Sequence, residues 1–198
     1  DLFFAGVRPA INVGTSVSRV GGNAQIKAMK KIAGTLRIAM AQYRALEAFA
    51  QFGSELDRES QKQLARGARV VEILKQPQYR PVPVESQVVA IWVGTGGYLD
   101  ALPVEDAKRF VDDFIEHLSA RTGVLDAIRD TGELSDETQA TLKQAVEDFT
   151  QAFVRSDAGE GSEAGAGQGA PRDPVKPDVG WDRLSSADDE DEPPGSGG

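Results

Sequence analysis

Residues 23–52, NAQIKAMKKIAGTLRIAMAQYRALEAFAQF, repeat Ile26, Met29, Ile32 or Ala33, Leu36, Met40, Tyr43 and Leu46 or Ala50 at helical spacing. This period predicts one long helix with a single apolar face, which needs a partner to cover it. Asn23 is placed to cap its start, and Gly53-Ser54 to end it. Leu56-Asp57-Arg58 then turns the polypeptide into a second helix over about residues 59–75, read from Leu64, Ala68, Val71 and Leu74. The pair makes a helical hairpin with a charged tip.

Pro77, Pro81 and Pro83 exclude helix over residues 76–83, because proline lacks an amide hydrogen and restrains the residue before it. Beyond this loop, a short apolar helix over 84–93 is ended by Gly94-Thr95-Gly96-Gly97. A helix over 104–119 carries Phe110, Val111, Phe114, Ile115 and Leu118 on one stripe, and residues 125–128 support a helical turn. Ser135-Asp136-Glu137-Thr138 opens a last amphipathic helix with Leu142, Val146, Phe149 and Phe153. After Arg155 the periodicity stops. Upstream, residues 1–22 are rich in Gly and β-branched residues, with Pro9 after Arg8, and suit turns and short extended pieces. The expected organisation is mainly α: a short strand and turn remnant over 1–22, a helical bundle over 23–155 and a disordered acidic tail over 156–198.

Charge is graded along the sequence. Residues 1–75 carry twelve Lys and Arg against six Asp and Glu, residues 76–155 seven against fourteen, and residues 156–198 three against eleven. The overall −9 therefore conceals segments of +6, −7 and −8. Gly, Pro, Ser and acids dominate the last segment and leave too little apolar surface to offset ordering entropy; only the stretch around Trp181 reads as a docking motif. The absence of cysteine excludes disulfides and thiolate metal sites, the lone His117 cannot build a histidine cluster, and a cytosolic compartment is expected. No apolar run approaches the roughly 18 to 20 residues that span a bilayer, and no charged-then-apolar signal segment opens the sequence. Membrane association is expected through partners only. Asp1 in place of Met, followed by Leu2-Phe3-Phe4 resembling a strand entered midway, suggests a piece of a longer polypeptide.

The residue to explain is Arg19, set in Gly14-Thr15-Ser16-Val17-Ser18-Arg19-Val20-Gly21-Gly22 just ahead of the long helix. Glycines on its C-terminal side let backbone approach a ligand, and the turn can hold a guanidinium over a neighbouring surface. A finger on a phosphate, a structural ion pair and a plain surface charge are all open readings. Gln76 and Gln78 flank Pro77, so both amides can point the same way from an extended segment and offer donors and acceptors to a base or ribose; as residues alone they are equally loop glutamines. Lys27, Lys30 and Lys31 lack interleaved aromatics and read as a solvated or subunit-facing helix start, not a nucleic-acid site. Glu55, Asp57 and Glu59 resemble a metal triad only loosely, and no metal-ligating residue is assigned.

Several of these segments together resemble the alpha subunit of the F1 rotary ATP synthase: Gly6-Val7-Arg8-Pro9-Ala10-Ile11-Asn12, Val17-Ser18-Arg19-Val20-Gly21, Ala41-Gln42-Tyr43-Arg44, Ala48-Phe49-Ala50-Gln51-Phe52, Leu74-Lys75-Gln76-Pro77-Gln78-Tyr79 and Gly97-Tyr98-Leu99. The resemblance runs from about residue 1 to residue 153. It implies that residues 1–22 end a nucleotide-binding domain and that 23–155 form the C-terminal helical bundle domain of that subunit. It also implies that Arg19 is an arginine finger entering the catalytic site on the adjoining beta subunit, with Ser16 matching an activity-sensitive serine. Arg8, Pro9, Gln76 and Gln78 then surround the purine of a non-catalytic nucleotide site. ATP or ADP with Mg²⁺ is implied for the full complex and none for this segment alone, because no G-x-x-x-x-G-K-[ST] phosphate loop is present. Implied partners are beta, the gamma rotor and the delta subunit of the peripheral stalk, with no nucleic acid. The implied location is the cytoplasmic face of the bacterial plasma membrane, reached through the Fo sector. The acidic tail is longer than in most such subunits.

Two other readings stand beside it. A free-standing helical adaptor, not itself an enzyme, would use the acidic tail on a basic partner. A hexameric RNA-translocating ATPase with a related core would need a basic, aromatic-bearing RNA site, against which the acidic second half argues.

Overall fold

The computed structural model describes residues 1–51 and 56–160. In them the helical spacing becomes seven helices and no strand: α1 (Arg19–Ala24), α2 (Lys27–Gln51), α3 (Arg58–Leu74), α4 (Val84–Gly96), α5 (Asp106–Arg121), α6 (Val124–Thr131) and α7 (Asp136–Glu160). The mainly α expectation holds. Of the strand and turn expected at the start, the turns form: Ala5 N–H donates to Asp1 C=O at 3.0 Å and Val7 N–H to Leu2 C=O at 2.9 Å. A lone extended piece without a neighbouring strand has no ladder to join. The tip residues 52–55 and the stretch from 161 on, which holds most of the acidic tail and Trp181, lie outside the described residues.

The start of the long helix differs from the reading of its period. Asn23 does not cap it but lies inside α1, because Ser18 caps that earlier turn with its Oγ accepting from Gly21 N–H at 2.9 Å. Gln25 then goes extended, at φ −66° and ψ 140°, and helix resumes at Lys27. An unpaired donor in the first turn of α2 is met from afar, since Ala28 N–H donates to Gly132 C=O at 2.9 Å. Lys27 binds Glu133 at 2.5 Å and Lys31 Nζ donates to Leu134 C=O at 3.2 Å. The basic start of α2 is thus docked on the α6–α7 connection.

Other boundaries follow local chemistry. Asp57 caps α3 by accepting from Ser60 N–H at 2.6 Å, which also holds its carboxyl below the usual range. Gly97, at φ 84°, closes α4, while Gly94, Thr95 and Gly96 continue the helix three residues past the end expected at residue 93. The prolines keep residues 76–83 out of helix.

Burial explains the architecture. α2 buries Ala28, Met29, Ile32, Leu36, Met40 and Tyr43, the stripe read from its spacing. α4 buries Val88, Val89, Ile91 and Val93 and packs against α2, α3, α5 and α6, making it the central helix. Full removal of one large apolar side group of this kind from water is worth roughly 1.5–3 kcal/mol. Phe110 and Phe114 of α5 meet Phe149 of α7 at ring separations of 5.2 and 5.4 Å, and His117, half-buried, lies 5.2 Å from Phe149. Gly67 brings α3 against α2: a Cβ there would fall 2.3 Å from the ring of Tyr43.

One buried charge ties the bundle ends. Glu85, 5% exposed in the first turn of α4, accepts from Arg129 Nε at 2.8 Å and Nη2 at 2.6 Å. Its own backbone N–H, and then Arg129, hold the carboxyl below the usual range against the opposing effect of burial.

Candidate functional site

The residues expected around a base come from two distant stretches, and one hydrogen bond joins them. Gln76 N–H donates to Arg8 C=O at 2.9 Å, which fastens the residue after the α3 cap to the amino-terminal segment. Arg8 stacks its guanidinium on Phe3, 4.5 Å from the ring centroid, leaving its N–H edge available. Pro9 C=O accepts from Ile11 N–H at 2.9 Å and shapes the next turn. Arg8, Pro9, Gln76 and Gln78 are all exposed. No hydrogen bond ties Gln78 to Arg8 or Gln76 among the described residues.

Arg19 and Ser16 lie further along the same amino-terminal segment. Arg19 is the first residue of α1, exposed, with no ion pair among the described residues. It stands on a short capped helix, not in the irregular turn that its Gly and Ser neighbours predict. Ser16 N–H donates to Asn12 C=O at 2.9 Å, and the Ser16 hydroxyl makes no hydrogen bond to Arg19 among the described residues. The hydroxyl that organises this turn is Ser18. Of the glycines after Arg19, Gly22 has open space where a Cβ would stand, and a Cβ on Gly21 would lie 3.0 Å from Ser18 Oγ, within its own cap. Gly14 is the position that permits a close approach, since a Cβ there would lie 2.8 Å from Ala41 N on α2.

Three local features escape a reading by spacing. Ser18 carries the Ser-x-x-Gly capping relation, which could have been read from the sequence. Phe3 gave no signal, because its role is to underlie Arg8. Tyr79 adopts φ 60°, a conformation that sequence assigns to Gly or Asn.

Among the described residues these side chains offer donors suited to a base edge and a guanidinium with no ion pair, and the sequence carries no phosphate loop. Among the described residues no group of three His, Cys, Asp or Glu could hold a metal ion. No helix among them is long and apolar enough to cross a membrane.

Known proteins share this sequence over most of its length. The ATP synthase subunit alpha of Acidothermus cellulolyticus is 61% identical over 158 residues, which is 79% of this chain and 28% of that protein. That of Frankia casuarinae is 61% identical over 158 residues, covering 79% and 29%. The subunit alpha of Paenarthrobacter aurescens is 53% identical over 169 residues, covering 85% and 30%. The chain spans less than a third of the length of these curated relatives. A family model described as ATP synthase alpha/beta chain, C terminal domain, matches residues 25–149, from the start of α2 into α7 and including Gln76 and Gln78. With its helical bundle, its relatives and this family match in agreement, the protein belongs to the family of ATP synthase alpha/beta C-terminal domains, as the carboxy-terminal portion of an alpha subunit.

Proposed function

We propose that this polypeptide is the carboxy-terminal part of the regulatory alpha subunit of a proton-translocating F1Fo ATP synthase, active only within the assembled complex. Arg19 supplies the arginine finger to the catalytic site on beta. The observation that carries this is an exposed guanidinium at the amino end of α1, held on a Ser18-capped turn and unpaired among the described residues. Phosphoryl transfer spreads negative charge over the phosphate oxygens, and a planar fork of N–H donors from a neighbouring subunit is worth roughly 10³ to 10⁵ in rate. Ser16, three residues before Arg19, is the activity-sensitive serine that acts on the segment carrying it.

Arg8, Pro9, Gln76 and Gln78 form the base-binding part of the non-catalytic nucleotide site. The Gln76–Arg8 bond supports this reading by joining the two stretches. Phosphates and Mg²⁺ are held outside this segment, which lacks a phosphate loop. Residues 1–22 end the preceding nucleotide-binding domain and 23–155 form the helical domain. The acidic residues 156–198 restrain ATP hydrolysis by reaching basic surface on the gamma rotor, and their deletion is expected to raise hydrolysis while preserving synthesis.

Partners are beta, gamma and delta, at the cytoplasmic face of the bacterial plasma membrane through Fo. Native purification of the full-length protein followed by mass spectrometry tests this assignment. Beta and gamma should co-purify in fixed proportion. Recovery as a monomer with an unrelated basic protein would favour the adaptor reading.

A further inference from the structure

Tyr79 is the one non-glycine residue with positive φ among the described residues, at 60°, and its side chain is among the most exposed, at 91%. It shares a turn with Gln78, between Pro77 and Pro81. A turn that demands positive φ is served by Gly or Asn, because a Cβ crowds the following carbonyl in the left-handed region. A bulky aromatic here meets that penalty and recovers nothing by burying its ring in this bundle. Backbone strain of this kind is typical of ligand clamps.

We propose that Tyr79 is a binding determinant of the non-catalytic nucleotide site, stacking its ring on the purine whose edge meets Gln76, Gln78 and Arg8. This rests on the nucleotide-site reading above. The anchoring of Gln76 to Arg8 and the stiffness lent by Pro77 and Pro81 hold the turn in place, so the ring is held rigidly for the base. The two kinds of contact divide the labour. Glutamine amides read the donor and acceptor pattern of the base edge and choose among bases, whereas an aromatic face stacks on any of them. Tyr79 therefore supplies affinity without selectivity.

The test uses the assembled complex containing the full-length subunit, with ethenoadenosine triphosphate as a fluorescent probe at the non-catalytic sites and ATP and GTP as competitors. Tyr79→Gly and Tyr79→Asn suit the positive φ and so keep the turn while removing the ring. Each should weaken probe binding by about five- to hundredfold, for ATP and GTP alike, and abolish stacking-dependent quenching of the probe. Tyr79→Phe should retain both. Wild-type affinity and quenching in the Gly and Asn variants would overturn the proposal, as would a loss in the Phe variant equal to theirs. Gln76→Ala and Gln78→Ala serve as the reference. If they alter occupancy and selectivity while Tyr79 variants do not, the site stands and Tyr79 has no part in it. If neither set alters binding, the site reading itself fails, and this inference with it.

Discussion

Gln76 and Arg8, from opposite ends of the α1–α3 region, share a backbone hydrogen bond of 2.9 Å. The bond makes the amino-terminal segment and the loop after α3 one structural unit, so Arg8 cannot move without the proline loop that carries Gln78.

Amide hydrogen exchange checks this. The Gln76 amide should exchange slowly although its side chain is exposed, while the amides of Gln78 and Tyr79, which make no backbone bond among the described residues, should exchange fast. Fast exchange at all three would mean the two stretches are not fastened together.

A second prediction concerns the seam between α2 and α3. A Cβ on Gly67 would lie 2.3 Å from Tyr43 Cδ2 and 2.6 Å from Tyr43 Cβ, at the root of the ring where no rotation swings it clear. Overpacking of this kind costs about 1–3 kcal/mol, against a gain of about 1 kcal/mol from replacing glycine within a helix. Gly67→Ala should therefore lower stability in chemical denaturation, and the loss should shrink but persist in a Tyr43→Ala background, which removes the ring yet keeps the Cβ 2.6 Å away. Stabilisation in both backgrounds would show that the seam has room to spare.

Acid stability provides a third. Glu85 titrates below the ordinary carboxylate value of about 4.5 because its own backbone N–H and Arg129 favour the ionised form. A group with a depressed folded value contributes stability that is fully present above the unfolded value and is lost as pH falls through the folded one. Stability should drop over that window, and Glu85→Gln should flatten the drop while leaving Arg129 its second partner, Asp126, at 2.6 Å. Denaturation midpoints measured from neutral pH down to about pH 3 decide it, a range that spans the ordinary carboxylate value; an unchanged slope in the variant would remove Glu85 from the acid limb.

Helix content was legible where one physical signal dominated. The apolar stripe of α2 and the prolines over 76–83 each leave a single local solution and appear where the residues point, whereas the glycine run ends α4 only at Gly97, three residues beyond the end read from its spacing. Competing local signals were less readable. Asn23 and Ser18 are both good caps, and the choice fell to Ser18 because its hydroxyl reaches Gly21 N–H, which made a separate short helix and displaced the start of α2. Contacts between distant positions left no trace in spacing. Gln76 meeting Arg8, and Ala28 taking its acceptor from Gly132, depend on how the bundle closes. Tyr79 runs against its local preference, which is why its conformation had to be seen.

The most direct test of the central claim is Arg19→Ala and Arg19→Lys in the assembled complex, measuring steady-state ATP hydrolysis beside fluorescence-monitored nucleotide binding on beta. Lys keeps the charge but not the planar fork. Both variants should lose multisite turnover by orders of magnitude while binding on beta stays near wild type. Turnover within about threefold of wild type, set against the loss expected for a finger, would contradict the account.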